Sequence, residues 1–220
     1  MHVKGMELPF HEPRIKQMLG LGYAVSPIGP YYTVVEHDTD FDFNAEQLFM
    51  DKVAPLTVYD RLKADSLSHQ KVRMFFLLQP AFSMLDALCA CIFAFSPVRF
   101  FDFQYLVDIV NAVTGWESSL FELIKIGEKR INMYRLFALR ENSTEDMLPE
   151  RIFEPIENGP LEGLKDRQAS SLWKPDSSTT SLPDGTMKEN LLTINCWNWV
   201  LLILSKNKRI YWINLQVLKE

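Results

Sequence analysis

The sequence has little cysteine. Its 220 residues include only Cys89, Cys91 and Cys196. Three cysteines are too few for a disulfide framework, and one intervening residue between Cys89 and Cys91 is not the spacing of a two-cysteine redox or zinc motif. We therefore expect a reducing compartment, and assign the chain to the cytoplasm.

The chain also lacks an excess of positive charge and an obvious membrane segment. Its formal net charge is -5, which argues against a nucleic-acid partner. Its first seven residues contain no apolar run of the kind that marks a secretory signal. The long apolar run Phe75–Phe95 contains Asp86, and a carboxylate at mid-bilayer costs about 2.5–3.5 kcal/mol. We expect no membrane span, and instead a pair of buried helices broken near Pro80.

The coarse organisation predicts an all-α fold in three segments. Residues 1–42 are rich in glycine and proline without a sustained period, which indicates loops around short elements. Residues 43–165 form the helical domain. Residues 166–220 combine a linker rich in serine, threonine and proline with a tail, in which 187–204 is a further candidate helix.

The helical segment carries start and stop signals of its own. We expect a helix over Ala45–Val53, another over Lys71–Leu78 that Pro80 ends or kinks, and a fully buried one over Ala81–Ala94. Asp102 is placed to cap a helix that runs through Val113.

The longest helix has the clearest beginning. Gly115 lies just past the end of the preceding helix, and Ser119 with Glu122 forms a capping-box pattern that opens the next. These signals predict at least three helices, and no sheet, between residues 68 and 140.

One polar cluster interrupts the apolar run. Asp86 and Cys91 stand five positions apart in an otherwise hydrophobic stretch. A buried carboxylate needs hydrogen-bonding partners, which the edge of a pterin ring offers, and a cysteine thiolate can ligate iron. The alternatives stay open on residue type alone, because a buried aspartate commonly pairs with arginine or caps a helix, and a free cysteine commonly packs as a small hydrophobe.

A set of short segments in fixed order resembles a known family. The segments are Val3–Pro9, Pro13-Arg14, Leu21–Pro27, Asp86–Cys91, Leu106–Trp116, Gly127–Ile131, Arg135–Glu141, Leu148–Arg151 and Gly159–Gly163. Together they are similar to the aldehyde:ferredoxin oxidoreductases, over roughly residues 3–165. In that family two pterin dithiolenes hold tungsten or molybdenum, and a nearby 4Fe-4S cluster passes electrons to ferredoxin.

The resemblance implies roles for one motif. The family's Asp-x-x-Gly-x-Cys pattern stands here as Asp86-Ala87-Leu88-Cys89-Ala90-Cys91. It implies that Asp86 binds the pterin, with Cys89 and Ala90 in the same cofactor-binding turn, and that Cys91 ligates the cluster. Cys89 replaces the family's glycine, and a side chain at a position of positive φ costs about 1 kcal/mol.

A second departure concerns the residue near the metal. Where the family has a histidine, after Ser26-Pro27, this chain has Tyr32. His37 is the nearest candidate for a catalytic proton relay, with a bystander role as the alternative, and Tyr32 could donate a hydrogen bond to a substrate carbonyl.

These residues predict the C-terminal region of an oxidoreductase that converts aldehydes to carboxylic acids and passes electrons to ferredoxin. No cysteine precedes Cys89, so the family's upstream cluster motif has no counterpart here. We therefore expect the chain alone to be inactive and to hold neither cofactor, leaving an apolar cleft around an unpaired Asp86. The alternatives are a non-catalytic remnant or interaction module, and a subunit that complements a separate N-terminal half.

Overall fold

The computed structural model describes residues 1–141, 146–163, 200–202 and 211–213. The chain divides into two compact units, Met1–Trp173 and Lys174–Glu220. The helices are α1 Gln17–Val25, α2 Gln47–Val53, α3 His69–Ala87, α4 Ile92–Phe95, α5 Phe103–Thr114 and α6 Leu120–Arg140. The strands are β1 His2–Val3, β2 Met6–Glu7, β3 Val200–Leu202 and β4 Tyr211–Ile213, and short 3-10 turns cover Asp38–Phe41, Ala54–Leu56 and Glu150–Phe153. The all-α prediction is confirmed, and the division into three sequence segments stays a prediction.

Helices α3 and α6 form the centre of the first unit, and they pack closely where Gly127 faces Pro80. A methyl group at Gly127 would lie 2.0 Å from the carbonyl oxygen of Pro80 and 2.6 Å from the amide nitrogen of Met84. The Ser83 hydroxyl donates to the Gly127 carbonyl oxygen at 2.9 Å across the same contact. Glycine is therefore what allows the two backbones to approach.

The predicted caps of α5 and α6 are confirmed. The Asp102 carboxylate accepts a hydrogen bond from the Tyr105 amide, and α5 ends at Gly115 with φ of 71°. Ser119 and Glu122 form the full capping box at the start of α6. The span from 68 to 140 contains four helices, α3 to α6, and no strand, as expected. Helix α2 also lies within the predicted 45–53 interval.

Helix α1 lies in the segment that we expected to be loops. Its residues are buried nearly all round, so no amphipathic period marks it. Its first amides donate to a distant side chain, because Asp38 accepts from Met18 N–H at 2.9 Å and from Leu19 N–H at 3.0 Å. A cap 20 residues away along the chain leaves no local signal.

The Asp38 carboxylate is itself neutralised inside the core. The Lys71 ammonium on α3 lies 2.8 Å from an Asp38 carboxylate oxygen. Only 1% of the Lys71 side chain and 0% of the Asp38 side chain are exposed. Because an unpaired charge at such depth is costly, each partner fixes the position of the other. The pair locks the start of α1 onto α3.

The predicted break at Pro80 is wrong. Helix α3 is 19 residues long and runs unbroken through Pro80. Its buried side chains include Leu78, Phe82 and Leu85. Proline inside a helix costs about 3 kcal/mol, and burial of a few such side chains outweighs that cost at about 1.5–3 kcal/mol each. The predicted buried helix over 81–94 is confirmed only in its first half, because α3 is helical and buried from Ala81 to Leu85 but ends at Ala87, and the four-residue α4 has no buried residue.

The predicted helix over 187–204 is contradicted where the structure describes it. Val200–Leu202 pairs antiparallel with Tyr211–Ile213. Both segments are rich in β-branched, aromatic and aliphatic residues, which suit strands. The remainder of that predicted helix lies outside the described residues. In the described part of the chain, no helix is both long enough and apolar enough to cross a bilayer.

Candidate functional site

The turn after α3 holds the motif that the sequence singled out. The Ala90 amide donates to the Leu85 carbonyl at 2.9 Å, and the Cys89 amide donates to the Asp86 carbonyl at 3.2 Å. This pair of bonds is the Schellman arrangement, in which the residue after the cap adopts a left-handed conformation that glycine favours. Cys89 occupies that position with φ of 54°. The backbone therefore confirms that Cys89 occupies a position of positive φ, where glycine is favoured and a side chain is strained.

The turn presents its two thiols to solvent. Cys89 and Cys91 are both exposed, and Ala90 between them is half-buried. Cys91 is the residue that precedes α4, with an extended backbone at φ of -69° and ψ of 122°. An exposed thiol at a fixed turn can be reached by a metal group bound outside the chain.

The Asp86 carboxylate lies at the last turn of α3 and is paired. Its Oδ2 is 3.1 Å from Nη1 of Arg130 on α6, and the side chains are 30% and 22% exposed. Burial raises the pKa of Asp86 and the Arg130 charge opposes that rise. The expectation of an unpaired carboxylate in an apolar cleft is therefore wrong, because α6 supplies a cation 44 residues along the chain.

Arg130 is the site residue that sequence reasoning missed. Its Nη1 also donates to the Ser83 hydroxyl at 3.2 Å, and its guanidinium lies 4.8 Å from the ring centre of Tyr134. Tyr31 lines the same cleft as Arg130. Burial, and next the Asp86 charge, raises the pKa of Tyr31. The sequence left open that Asp86 pairs with an arginine, but the family-like segment Gly127–Ile131 implied no role for Arg130, and only the packing of α3 against α6 identifies it as the partner.

A small cleft, with room for about one water molecule, opens beside this ion pair. It lies between the loop after α1, α3 and α6, and its lining residues are Ser26, Pro27, Ile28, Tyr31, Val34, Gln79, Ser83, Arg130, Ile131 and Tyr134. The Ser26 hydroxyl is fully buried and has no hydrogen-bond partner among the described residues. The cleft therefore combines apolar walls with an unsatisfied polar group.

His37 and Tyr32 lie together in a second group. The Lys16 ammonium is 2.9 Å from His37 Nδ1, and His37 Nε2 is 3.3 Å from the Tyr32 carbonyl oxygen. An ammonium can only donate, so Nδ1 accepts and Nε2 carries the proton that is donated to Tyr32. The His11 ring packs edge-on against the His37 ring, with 4.3 Å between the two ring centres.

This environment keeps His37 neutral. Burial first, then the charges of Lys16 and His11, lowers the pKa of His37 from 6.5 to about 4. The imidazole is therefore uncharged at neutral pH, and its two nitrogens have partners. The Tyr32 side chain, in contrast, is exposed. The proposed catalytic roles of His37 and Tyr32 stay predictions.

The structure brings the candidate residues into two groups that meet at neighbouring positions of one loop. Tyr31 lines the cleft with Arg130, and the backbone carbonyl of the next residue, Tyr32, accepts the hydrogen bond from His37. Within the described residues, no three side chains of histidine, cysteine, aspartate or glutamate are placed to hold a metal ion by themselves.

Comparisons with known proteins agree with this arrangement of motifs. The family described as aldehyde ferredoxin oxidoreductase, domains 2 & 3, matches residues 1–174. The chain is 31% identical over 167 residues to the tungsten-containing aldehyde ferredoxin oxidoreductase of Pyrococcus abyssi, and 32% identical over 168 residues to that of Thermococcus kodakarensis. Each alignment covers 74% of this chain and 25% of the relative, so the chain spans about a quarter of these relatives' length. No solved structure matches significantly. The chain belongs to the aldehyde ferredoxin oxidoreductase family.

Proposed function

We propose that this chain is the helical C-terminal part of a ferredoxin-linked aldehyde oxidoreductase and becomes active only when an N-terminal half completes it. The observation that carries the proposal is the turn after α3. There a half-exposed Asp86 and an exposed Cys91 follow one another within a single well-formed helix end. The tungsten-containing relatives match this region of the chain.

The residues present fit one edge of a pterin. Asp86 keeps 30% of its side chain exposed while Arg130 holds it in place, so the carboxylate can accept further N–H donors. The unpartnered Ser26 hydroxyl lines the adjoining cleft, where a polar ligand atom could satisfy it. These groups would bind and orient the pterin, which when bound with its metal supplies the oxidation of an aldehyde to a carboxylic acid.

The cluster would draw one ligand from this chain. The exposed Cys91 thiolate would bind one iron of a 4Fe-4S cluster, and the other three thiolates would come from the N-terminal half. In this proposal ferredoxin accepts the electrons. Tyr32 would donate a hydrogen bond to the aldehyde oxygen, and His37 would hold a proton on Nε2 at neutral pH.

Exposed apolar side chains support a larger assembly. Val113 and Trp116 at the end of α5, and Phe121 and Phe137 on α6, expose 81%, 58%, 65% and 64% of their surface. Large apolar side chains that are exposed in this chain can be buried when another part of a larger assembly packs against them. The same observation favours the second candidate, an interaction module without cofactor, so the experiment must separate the two.

The test is co-expression with the part of the Thermococcus kodakarensis relative that this chain does not match. Anaerobic purification of the complex should yield iron, tungsten or molybdenum, and aldehyde-dependent reduction of ferredoxin. Cys91→Ser should lower the iron content because a thiolate ligand is lost, whereas the control Cys196→Ser should retain it. A complex that forms without metal would favour the interaction module. Equal iron in the Cys91→Ser complex and the unsubstituted complex would overturn the ligand assignment.

A further inference from the structure

The turn after α3 carries two thiols on its outer side. Cys89 and Cys91 are both exposed, whereas Leu88 and Ala90, which alternate with them along the chain, pack against the hydrophobic core. This alternation places both thiols on the solvent side of the same turn. A small reagent in solution can therefore reach either sulfur.

The backbone that joins the two thiols is held on both sides. The Ala90 amide donates to the last turn of α3, and the Cys91 carbonyl oxygen accepts from the Ala94 and Phe95 amides of α4, each at 3.0 Å. Cα atoms of residues i and i+2 are at most about 7 Å apart, and disulfides join Cα atoms about 4.4–6.8 Å apart. The turn therefore keeps Cys89 and Cys91 at a separation that a disulfide can bridge.

The same geometry makes a bond between the two sulfurs easy to reverse. With one intervening residue the disulfide would close a smaller ring than in the common redox motif, and Cys89 already has a strained backbone with φ of 54°. Strained or exposed disulfides are the more easily reduced ones, and those of reducing compartments are commonly transient. A bond at this turn therefore suits a reversible change better than a permanent cross-link.

We propose that Cys89 and Cys91 form a reversible disulfide across the turn after α3, with a low-molecular-weight disulfide as the oxidant. The thiolate of one cysteine attacks the small disulfide, forms a mixed disulfide and releases one small thiol. The second cysteine then attacks the protein sulfur of the mixed disulfide and releases the other small thiol. Two protein thiols are oxidised, one small disulfide is reduced to two thiols, and both protons end on the released thiols.

The inference rests on the proposed function only for its consequence. Cluster iron binds a cysteine thiolate, and a Cys91 sulfur bonded to Cys89 offers none. Oxidation would therefore withhold this ligand from a cluster, and reduction would restore it. The family's pattern has glycine where this chain has Cys89, so the second thiol is a property of this chain.

Oxidation of the full-length chain with the substitution Cys196→Ser tests the proposal, because this variant keeps only Cys89 and Cys91. Oxidised glutathione should yield a monomer that is lighter by two hydrogen atoms and has no free thiol. Neighbouring thiols have an effective concentration in the mM range, so with oxidised glutathione at about 0.1 mM the closed chain should exceed the doubly glutathionylated chain at least about tenfold. Dithiothreitol should restore the reaction of both cysteines with iodoacetamide.

Two comparisons separate the folded turn from a chance pair of thiols. Adding Cys89→Ser or Cys91→Ser to the same variant should leave one glutathione bound to the remaining cysteine, since no second thiol resolves the mixed disulfide. In a glutathione redox buffer, the equilibrium constant for closure should be at least about fivefold larger in the folded chain than in denaturing urea, a factor of about 1 kcal/mol, because the backbone between the thiols is already ordered.

Four outcomes would overturn the proposal: a stable mixed disulfide beside a free second thiol, a disulfide-linked dimer, two thiols that stay reduced, or closure as favourable in urea as in the folded chain. All are read from mass and thiol content of the chain alone. Metal content in the co-expression test does not enter them, so the two proposals fail separately.

Discussion

Gly127→Ala tests whether the α3–α6 contact determines the stability of the first unit. An alanine methyl group would lie 2.0 Å from the Pro80 carbonyl oxygen and 2.6 Å from the Met84 amide nitrogen, whereas favourable heavy-atom contacts are about 3.5–4.0 Å. Both neighbours are backbone atoms, so no side chain can rotate to make room. The two helices would have to separate by more than about 1 Å at their closest point.

Two opposing free-energy changes decide the result. Replacing glycine by alanine inside a helix stabilises it by about 1 kcal/mol. Overpacking a tight contact costs about 1–3 kcal/mol, and the backbone clash places this contact at the upper end. We therefore expect Gly127→Ala to lower the free energy of unfolding by about 2 kcal/mol, with a fall in Tm of about 4–8 °C.

Urea unfolding followed by circular dichroism at 222 nm measures this difference, because the midpoint moves with stability at constant slope. Lys129→Ala is the matched control, since Lys129 lies on the same helix and is exposed. Its free energy of unfolding should change by less than about 0.5 kcal/mol. If Gly127→Ala were as stable as the unsubstituted chain, or more stable by the helix-propensity gain, the close approach of α3 and α6 would be refuted.

Three further changes are expected to have measurable effects. Cys89→Gly should raise the free energy of unfolding by about 1 kcal/mol in urea titrations, because Cys89 has a φ of 54° that glycine adopts without strain. The same variant should raise pterin retention in the co-expressed complex. No change in either quantity would refute the strain argument. Burial, and next Asp40, raises the pKa of Glu36 from 4.5 to about 7. The stability that Glu36 contributes is therefore present below pH 4.5 and lost as the pH rises through about 7, and Glu36→Gln should remove this loss in unfolding measured at pH 5 and 8. Lys71→Met should cost about 3–5 kcal/mol in the same assay, because it leaves the buried Asp38 without its cation; a loss under 1 kcal/mol would contradict the pairing.

The elements that the sequence predicted well are those whose signals are local. The Asp102 cap, the capping box at Ser119 and Glu122, and the stop at Gly115 each involve residues within one turn of the helix end. Their hydrogen bonds form between near neighbours whatever the rest of the chain does. The turn at Cys89 belongs to the same group, since its left-handed conformation follows from the helix end itself.

The elements that the sequence did not predict depend on distant contacts. Helix α1 contains two glycines, and Gly22 is needed because a methyl group there would lie 2.6 Å from the Val34 side chain. Its cap comes from Asp38, in a different segment. Pro80 was expected to break α3 on a local rule that burial against α6 outweighs. Arg130 lies in the family-like segment Gly127–Ile131, which implied no role for it, and only the packing of α6 on α3 places it beside Asp86.

Burial separates the ion pairs that hold the fold from the one that a ligand can reach. Lys71 with Asp38, and Lys4 with Asp146, are almost fully enclosed, and each joins segments far apart in the chain. Breaking either would leave a charge in the core, so their role is structural. The Arg130 and Asp86 pair differs because both side chains keep part of their surface at the cleft and the turn. A half-exposed pair can exchange one hydrogen bond for another at a small net cost in free energy, since each charge remains partly solvated. Of the three pairs, it is therefore the one suited to bind a ligand, and it lies at the residue that the family motif assigns to the pterin.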